Sequence, residues 1–262
     1  MTRIDVGDAV LFVFAHQDDE VAALPWLDEE RRRGSRVACV YLTDGATRTA
    51  ANIRDGETRA VLLAAGIRAD DIAFLDDGER IRDNQLFRAI PRARAMLESW
   101  IAANMADVCR IYSLAWEGGH PDHDAAHVVA FLIASGLGIA SQSWQFSLYN
   151  AAGCPRRLFR VLHPLRSASR SRTISYSLGS AVRYALACWK YSSQVRTWAG
   201  LFPELLVRRV LLRRESVAQF DARRILARPH EGPLLYETYF ATSYDELSAA
   251  IATEREEIAA SL

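Results

Sequence analysis

Short apolar runs rich in Val, Ile and Phe alternate with stretches of three- and four-residue apolar spacing over the first 135 positions of the chain. The runs at 9–14, 37–42, 72–75 and 108–112 have the length of buried strands, and the segments 21–33, 54–65 and 86–104 between them repeat apolar residues with helical period. Gly34 and Gly66 stand where two of these helices should stop, because glycine takes a left-handed backbone without a Cβ penalty. Strand and helix in strict alternation predict βαβ units and an α/β fold: a doubly wound, mostly parallel, Rossmann-like sheet with helices on both faces.

Beyond residue 140 the pattern weakens and predicts a less regular C-terminal extension. Segments 144–149 and 158–162 read as strands, 167–180 as a Ser/Arg-rich loop and 181–198 as a helix. Residues 201–214 combine Leu, Phe and Val with four arginines, a mixture that suits a membrane surface. The reading the pattern favours is a helix that packs its apolar side on the domain while its arginines face water. At 262 residues the chain is long enough to bury one full core, so a single domain over 1–262 is expected, with a core over about 1–165 and an extension over about 166–262.

Half of the residues are apolar and 24% charged, the balance of a globular protein. The formal net charge is zero, yet residues 1–124 hold 15 basic and 22 acidic side chains whereas 125–203 hold nine basic and no acidic ones. Nine charges over that length are too dilute for nucleic acid but suit an anionic ligand, with Arg156, Arg157 and Arg160 as its expected contacts. Cys39, Cys109, Cys154 and Cys188 lie far apart without a Cys-x-x-Cys pair and read as buried thiols of a reducing compartment. The opening residues Met1 to Asp5 and the interrupted apolar run after them contain no signal-peptide core, and no window is long enough to span a bilayer. A cytoplasmic location without stable membrane insertion is the expectation, and a homo-oligomer is compatible with it.

In an open parallel sheet, ligands bind beyond the carboxyl ends of the strands where strand order reverses. The first strand runs into Ala15-His16-Gln17-Asp18-Asp19-Glu20, which has no glycine to admit a pyrophosphate and offers an imidazole and three carboxylates instead. The fourth runs into Glu117-Gly118-Gly119-His120-Pro121-Asp122-His123-Asp124 and then His127. Strands one and four are neighbours in the usual doubly wound order, so both segments should face one pocket. Alone, a His-x-x-Asp is more often a helix cap and a surface histidine. Together the segments supply a His/Asp/His set that leaves a fourth position open on a divalent cation.

These segments resemble the PIG-L-like (LmbE-like) zinc-dependent N-acetylglucosaminyl deacetylases, whose motifs are Ala-His-Pro-Asp-Asp-Glu and His-x-Asp-His. The resemblance extends through Thr43-Asp44-Gly45, Arg54 with Glu57, Phe74 to Gly78, and Lys190 with Ser193-Gln194. It implies Zn2+ held by His16, Asp19 and His123, with Asp18 as general base. It implies that His120 acts as acid or oxyanion stabiliser, hydrogen-bonded to Asp122. Gln17 replaces the family's proline, which affects the stiffness of the loop rather than the ligand set. Arg54, Asp77 and His230 are the expected substrate-binding residues; as bland alternatives, Arg54 is a solvated arginine at a helix start, Asp77 belongs to a turn, and His230 crosses the surface in a Pro/Gly loop. His127 and Glu20 are expected in supporting or packing roles.

The expected substrate is a small N-acetylated sugar or glycoconjugate, anionic if the acid-free segment 125–203 faces it, with no nucleic acid involved. The implied reaction is hydrolysis of the acetamide, zinc polarising the carbonyl and activating water. Two alternatives stand beside it: a metal-dependent amidase acting on a non-sugar N-acyl substrate in cofactor or antibiotic biosynthesis, and a non-catalytic sugar-binding protein on the same fold.

Overall fold

The structure, a computed structural model, describes residues 8–46, 49–155, 158–166, 169–260 and 262. Its centre is β1 (Ala9–Phe14), whose six residues are all buried. A strand with no exposed side of its pleat must be covered on both faces, which is why the sequence there does not alternate. Helix α1 (Glu20–Arg32) follows and ends at Gly34, whose φ of 86° closes the turn into β2 (Arg36–Tyr41). Then come α2 (Ala51–Ala64), β3 (Ile72–Phe74), α3 (Ile90–Asn104), β4 (Val108–Leu114) and α4 (Pro121–Gly136). Every residue of α4 from Pro121 to Ala134 is buried, so this helix packs on all sides instead of presenting one apolar stripe.

With β5 (Trp144–Phe146), the first five strands are parallel in the order β3-β2-β1-β4-β5, the doubly wound arrangement. Order reverses between β1 and β4, so the loops leaving these two strands diverge and open a crevice between them. After the small hairpin of β6 (Tyr149–Asn150) and β7 (Arg160–Val161), β8 (Ser171–Ser175) and β9 (Arg214–Gln219) add two antiparallel strands beyond β5. Between them lie α5 (Leu178–Leu186) and α6 (Val195–Leu206), and the chain closes with α7 (Ala222–Ile225), α8 (Leu235–Tyr239), α9 (Tyr244–Ala250) and α10 (Ala252–Ala260).

Several expectations beyond residue 140 are corrected. The stretch expected as a loop at 167–180 contains strand β8, whose partner β9 lies some forty positions downstream. Only Ile174 of that strand is a large aliphatic, so no local pattern announces it. The helix expected at 181–198 is two helices separated by 3₁₀ turns at Ala187–Lys190 and Ser192–Gln194. In 201–214 the expected polarity is partly inverted: Arg209 is fully buried, where it donates to Glu215 Oε1 at 2.9 Å and to the carbonyl of Tyr184 at 2.7 Å, while Leu211 is 69% exposed. Of the four cysteines, all free, Cys39 and Cys188 are buried and Cys109 and Cys154 only half-buried. No helix among the described residues is long and apolar enough to cross a membrane.

Candidate active site

The two loops do converge. His16 Nδ1 lies 3.3 Å from His123 Nε2, and His123 Nε2 lies 3.1 Å from Asp19 Oδ1. Asp19 is held in place because its Oδ2 accepts the His16 backbone N–H at 2.8 Å, and this oxygen lies 3.8 Å from His16 Nδ1. Two imidazole nitrogens facing each other at this distance are stable only around a shared proton or a cation. Two ligand atoms of one tetrahedral zinc with bonds near 2.0–2.1 Å stand roughly 3.3 Å apart, the separation of the two imidazoles; the ligand-type side chains gathered here are His16, His120 and His123, and His16, Asp83, His120 and Asp122.

Backbone strain shapes the first loop. Asp18 adopts φ 101°, outside the ordinary range for a residue with a Cβ. Its N–H donates to Glu20 Oε2 at 2.9 Å and its carbonyl accepts from Val21 at 3.1 Å, while Arg54 donates to the Gln17 carbonyl beside it. The side chain is clamped as well: Asp18 Oδ1 accepts from Arg54 Nη2 at 3.0 Å and Oδ2 from the indole N–H of Trp198 at 3.0 Å. Burial pushes the Asp18 carboxyl up to about 7, against the pull of the Arg54 guanidinium. Gln17 is turned away from the donors toward Asp55 Oδ1, at 2.7 Å.

His16 faces acid on its other edge. Its Nε2 lies 3.1 Å from Asp83 Oδ1 and 3.2 Å from Asp122 Oδ2. Burial opposes a charge on this imidazole, but Asp83, Asp122 and Asp19 outweigh it and raise the group well above its ordinary value. Asp83 is held well below the usual carboxylate range: burial works against its charge, and His16 and His120 more than compensate. Asp122 is itself fixed by the backbone N–H groups of Asn84 at 2.6 Å and Leu86 at 3.0 Å. The expected hydrogen bond from the Asp122 side chain to His120 is therefore corrected to one with His16. His120 instead accepts the backbone N–H of Asp122 at its Nδ1, 3.1 Å away, as the cap of α4. Burial and the neighbouring imidazoles of His16 and His123 hold His120 well below its ordinary value.

The second loop is built from buried acids. Asp124 Oδ1 accepts the N–H groups of Glu117 and Gly118 at 3.0 and 3.2 Å. Glu117 accepts those of Leu148 and Tyr149 at 2.7 and 3.0 Å, which seats the Tyr149 ring 5.4 Å from that of His123. Gly119 admits no Cβ, since the Tyr149 carbonyl occupies that space. His127 donates through Nδ1 to the Leu114 carbonyl at 2.8 Å and packs edge-on against Phe220.

His16, Asp18, Asp19, Asp83, His120, His123 and Tyr149 line a cavity of about 700 Å³. Ser193, Gln194, Arg196 and Trp198 form one wall and Tyr239 with Phe240 another, with Phe240 edge-on to His120 at 4.3 Å. Glu57 carries the first wall, accepting from Ser192 Oγ at 2.7 Å and Ser193 Oγ at 2.5 Å. Of the residues expected from sequence, His16, Asp18, Asp19, Arg54, His120 and His123 line this cavity. Asp77 and His230 are displaced from it: Asp77 is exposed and ion-paired with Arg92, and His230 bonds to the Glu231 carbonyl. Arg160 turns to His163, at 3.2 Å, rather than to the cavity, and Arg156 and Arg157 lie outside the described residues. Asp83, Tyr149, Trp198 and Phe240 were missed. Asp83 follows the third strand and so obeyed the strand-end rule; the other three come from segments whose place in the fold is set by long-range contacts.

A mainly parallel sheet that gathers imidazoles and carboxylates at its switch-point crevice defines an α/β protein with a cluster of metal-ligand-type side chains at that crevice. More particularly, residues 11–134 of the chain match the family model described as PIG-L: GlcNAc-PI de-N-acetylase. Solved structures share the fold at low identity. The A40926 pseudoaglycone deacetylase Dbv21 is 18% identical, with a TM-score of 0.58 over 80% of this chain and 96% of its own. The zinc-inhibited form of teicoplanin deacetylase Orf2 is 15% identical, with a TM-score of 0.57 over 81% and 99%. The N,N'-diacetylchitobiose deacetylase from Pyrococcus horikoshii is 18% identical, with a TM-score of 0.53 over 92% and 88%. No curated protein sequence matches the chain.

Proposed function

We propose that this chain is a zinc-dependent hydrolase that removes the acetyl group from an N-acetyl amino sugar or sugar conjugate. The observation that carries the reading is the 3.3 Å approach of His16 Nδ1 to His123 Nε2 with Asp19 Oδ1 3.1 Å from the latter, in a buried corner of a cavity of about 700 Å³. The family model that residues 11–134 match supports it, and so do the deacetylases named among the similar structures.

His16, Asp19 and His123 would hold the ion. Zinc bound there supplies a Lewis acid that polarises the acetyl carbonyl and makes water nucleophilic near neutral pH. Asp18 is the general base: it takes the proton of the attacking water, and Arg54 and Trp198 hold its oxygens in position to do so. His120 accepts the Asp122 N–H at Nδ1, so its neutral form carries the proton on Nε2 and acts as a hydrogen-bond donor to the developing oxyanion. The amide C–N bond breaks as the water oxygen becomes part of acetate, and the proton held by Asp18 passes to the departing amine. Ser193, Gln194 and Tyr149 offer hydrogen bonds to sugar hydroxyls, and the ring faces of Trp198 and Phe240 offer apolar walls.

Acetate release from a panel of N-acetyl sugars and glycoconjugates, run beside zinc analysis of the purified protein, tests the reading. Turnover should depend on zinc, and Asp18→Ala should abolish it while leaving the ion bound. Full activity in that variant, or a protein that takes up no zinc, would overturn it.

A further inference from the structure

Nine of the fifteen large apolar side chains exposed among the described residues lie between positions 178 and 212. In α5, Leu178, Val182 and Leu186 recur at every fourth residue and continue into Trp189, making one outward stripe, while Ala181, Tyr184 and Ala185 occupy the buried side. This helix is therefore apolar on the face that meets water as well as on the face that meets the core. The end of α6 and the π-helical turn Val207–Leu212 add Leu206, Val207, Leu211 and Leu212 to the exposed set. The pieces abut, because Trp189 meets the ring of Phe202 edge-on at 5.0 Å and Arg209 ties the π turn to the Tyr184 carbonyl of α5. Exposed apolar area concentrated in this way marks an interaction surface.

Its charge says what covers it. Among residues 178–214 there are seven basic side chains and one acidic, and Lys190, Arg196, Arg213 and Arg214 are exposed. A second copy presenting the same face would bring cation against cation. An anionic lipid surface satisfies both features at once, taking the apolar stripe into the acyl boundary and the cations onto headgroups. Helices of nine and twelve residues are too short to span a bilayer and suit an in-plane arrangement. We propose that the face formed by α5, α6 and the π turn docks this protein on an anionic membrane surface. Val195 and Arg196 belong both to this face and to the cavity wall, so docking brings the cavity mouth to the interface.

Binding is read without turnover and stands apart from the proposed hydrolysis. The full chain is sedimented with phosphatidylcholine vesicles, with or without phosphatidylglycerol. It should partition onto the anionic vesicles at least about tenfold more strongly than onto the neutral ones, and less so at high salt. The double variant Leu186→Glu with Leu211→Glu, both at exposed positions, should lose at least about tenfold of that partition with an unchanged circular dichroism spectrum. Lys190→Glu with Arg214→Glu should weaken binding to anionic vesicles only. Failure of the wild type to bind either vesicle, or equal binding by wild type and the Leu186→Glu/Leu211→Glu variant, would overturn the proposal. So would light scattering that shows a wild-type dimer dissolved by the same variant in the absence of vesicle binding, which would assign the face to a second copy.

Discussion

The indole N–H of Trp198 reaches Asp18 Oδ2 at 3.0 Å across 180 positions of sequence, so the part of the chain expected as an irregular extension supplies a hydrogen bond to the proposed base. Arg54 occupies the other oxygen of the same carboxylate. Trp198→Phe keeps the ring and removes one donor, and a hydrogen bond to a charged group is worth about 1.5 kcal/mol or more, close to tenfold in rate. The expected outcome is a fall of about tenfold in kcat with zinc content unchanged. A kcat within twofold of wild type would show that the indole merely packs.

Asp122 was expected to serve His120 and instead meets His16. A carboxylate behind a metal-binding imidazole orients the ring and raises its basicity, and its loss ordinarily costs 10–100-fold in metal affinity. Asp122→Asn should weaken zinc binding by about that factor, measured by competition with a chromophoric chelator. An unchanged affinity joined to a lowered kcat would return Asp122 to the partnership with His120.

Glu117 holds the Tyr149 segment by accepting two buried backbone N–H groups. Leaving both without a partner costs about 1–3 kcal/mol each. Glu117→Ala should lower the free energy of unfolding by at least about 2 kcal/mol in urea titrations, and it should raise KM through the displaced Tyr149 wall. Loss of neither stability nor affinity would mean that water replaces the carboxylate.

His127 is buried, and burial lowers its imidazole from about 6.5 to about 4. Above 6.5 both folded and unfolded states hold it neutral and it makes no contribution to pH dependence. Between 6.5 and 4 only the unfolded state takes up the proton, so stability falls as the pH falls, by up to about 3 kcal/mol from this group alone. His127→Asn removes the titration and leaves an amide able to donate to the Leu114 carbonyl. Chemical unfolding at pH 7 and at pH 4.5 should show a smaller difference in the variant than in the wild type, and an equal difference would place the acid sensitivity elsewhere.

The first 135 residues were legible because their information is local. A strand buried on both faces must be continuously apolar, as Ala9–Phe14 is, and the helices beside it repeat with their own period. The motifs at 15–20 and 120–123 were readable for the same reason, since each is a contiguous loop at a strand end and the doubly wound order makes those two strands neighbours. Asp77 and His230 failed as site residues because a turn carboxylate and a loop imidazole carry no signal of direction; ion pairing with Arg92 and a local backbone bond took them elsewhere.

What the sequence by itself determined was the sheet order's leading half and the imidazole and carboxylate side chains carried by the two strand-end loops, both written in short-range patterns. Only the tertiary structure decided that Trp198 reaches Asp18, that Asp122 serves His16, that β8 pairs with a strand forty positions away, and that Arg209 is buried while its leucine neighbours face outward. Each of these depends on contacts between segments far apart in the chain, where the energy of a pairing belongs to two surfaces at once and neither surface alone records it.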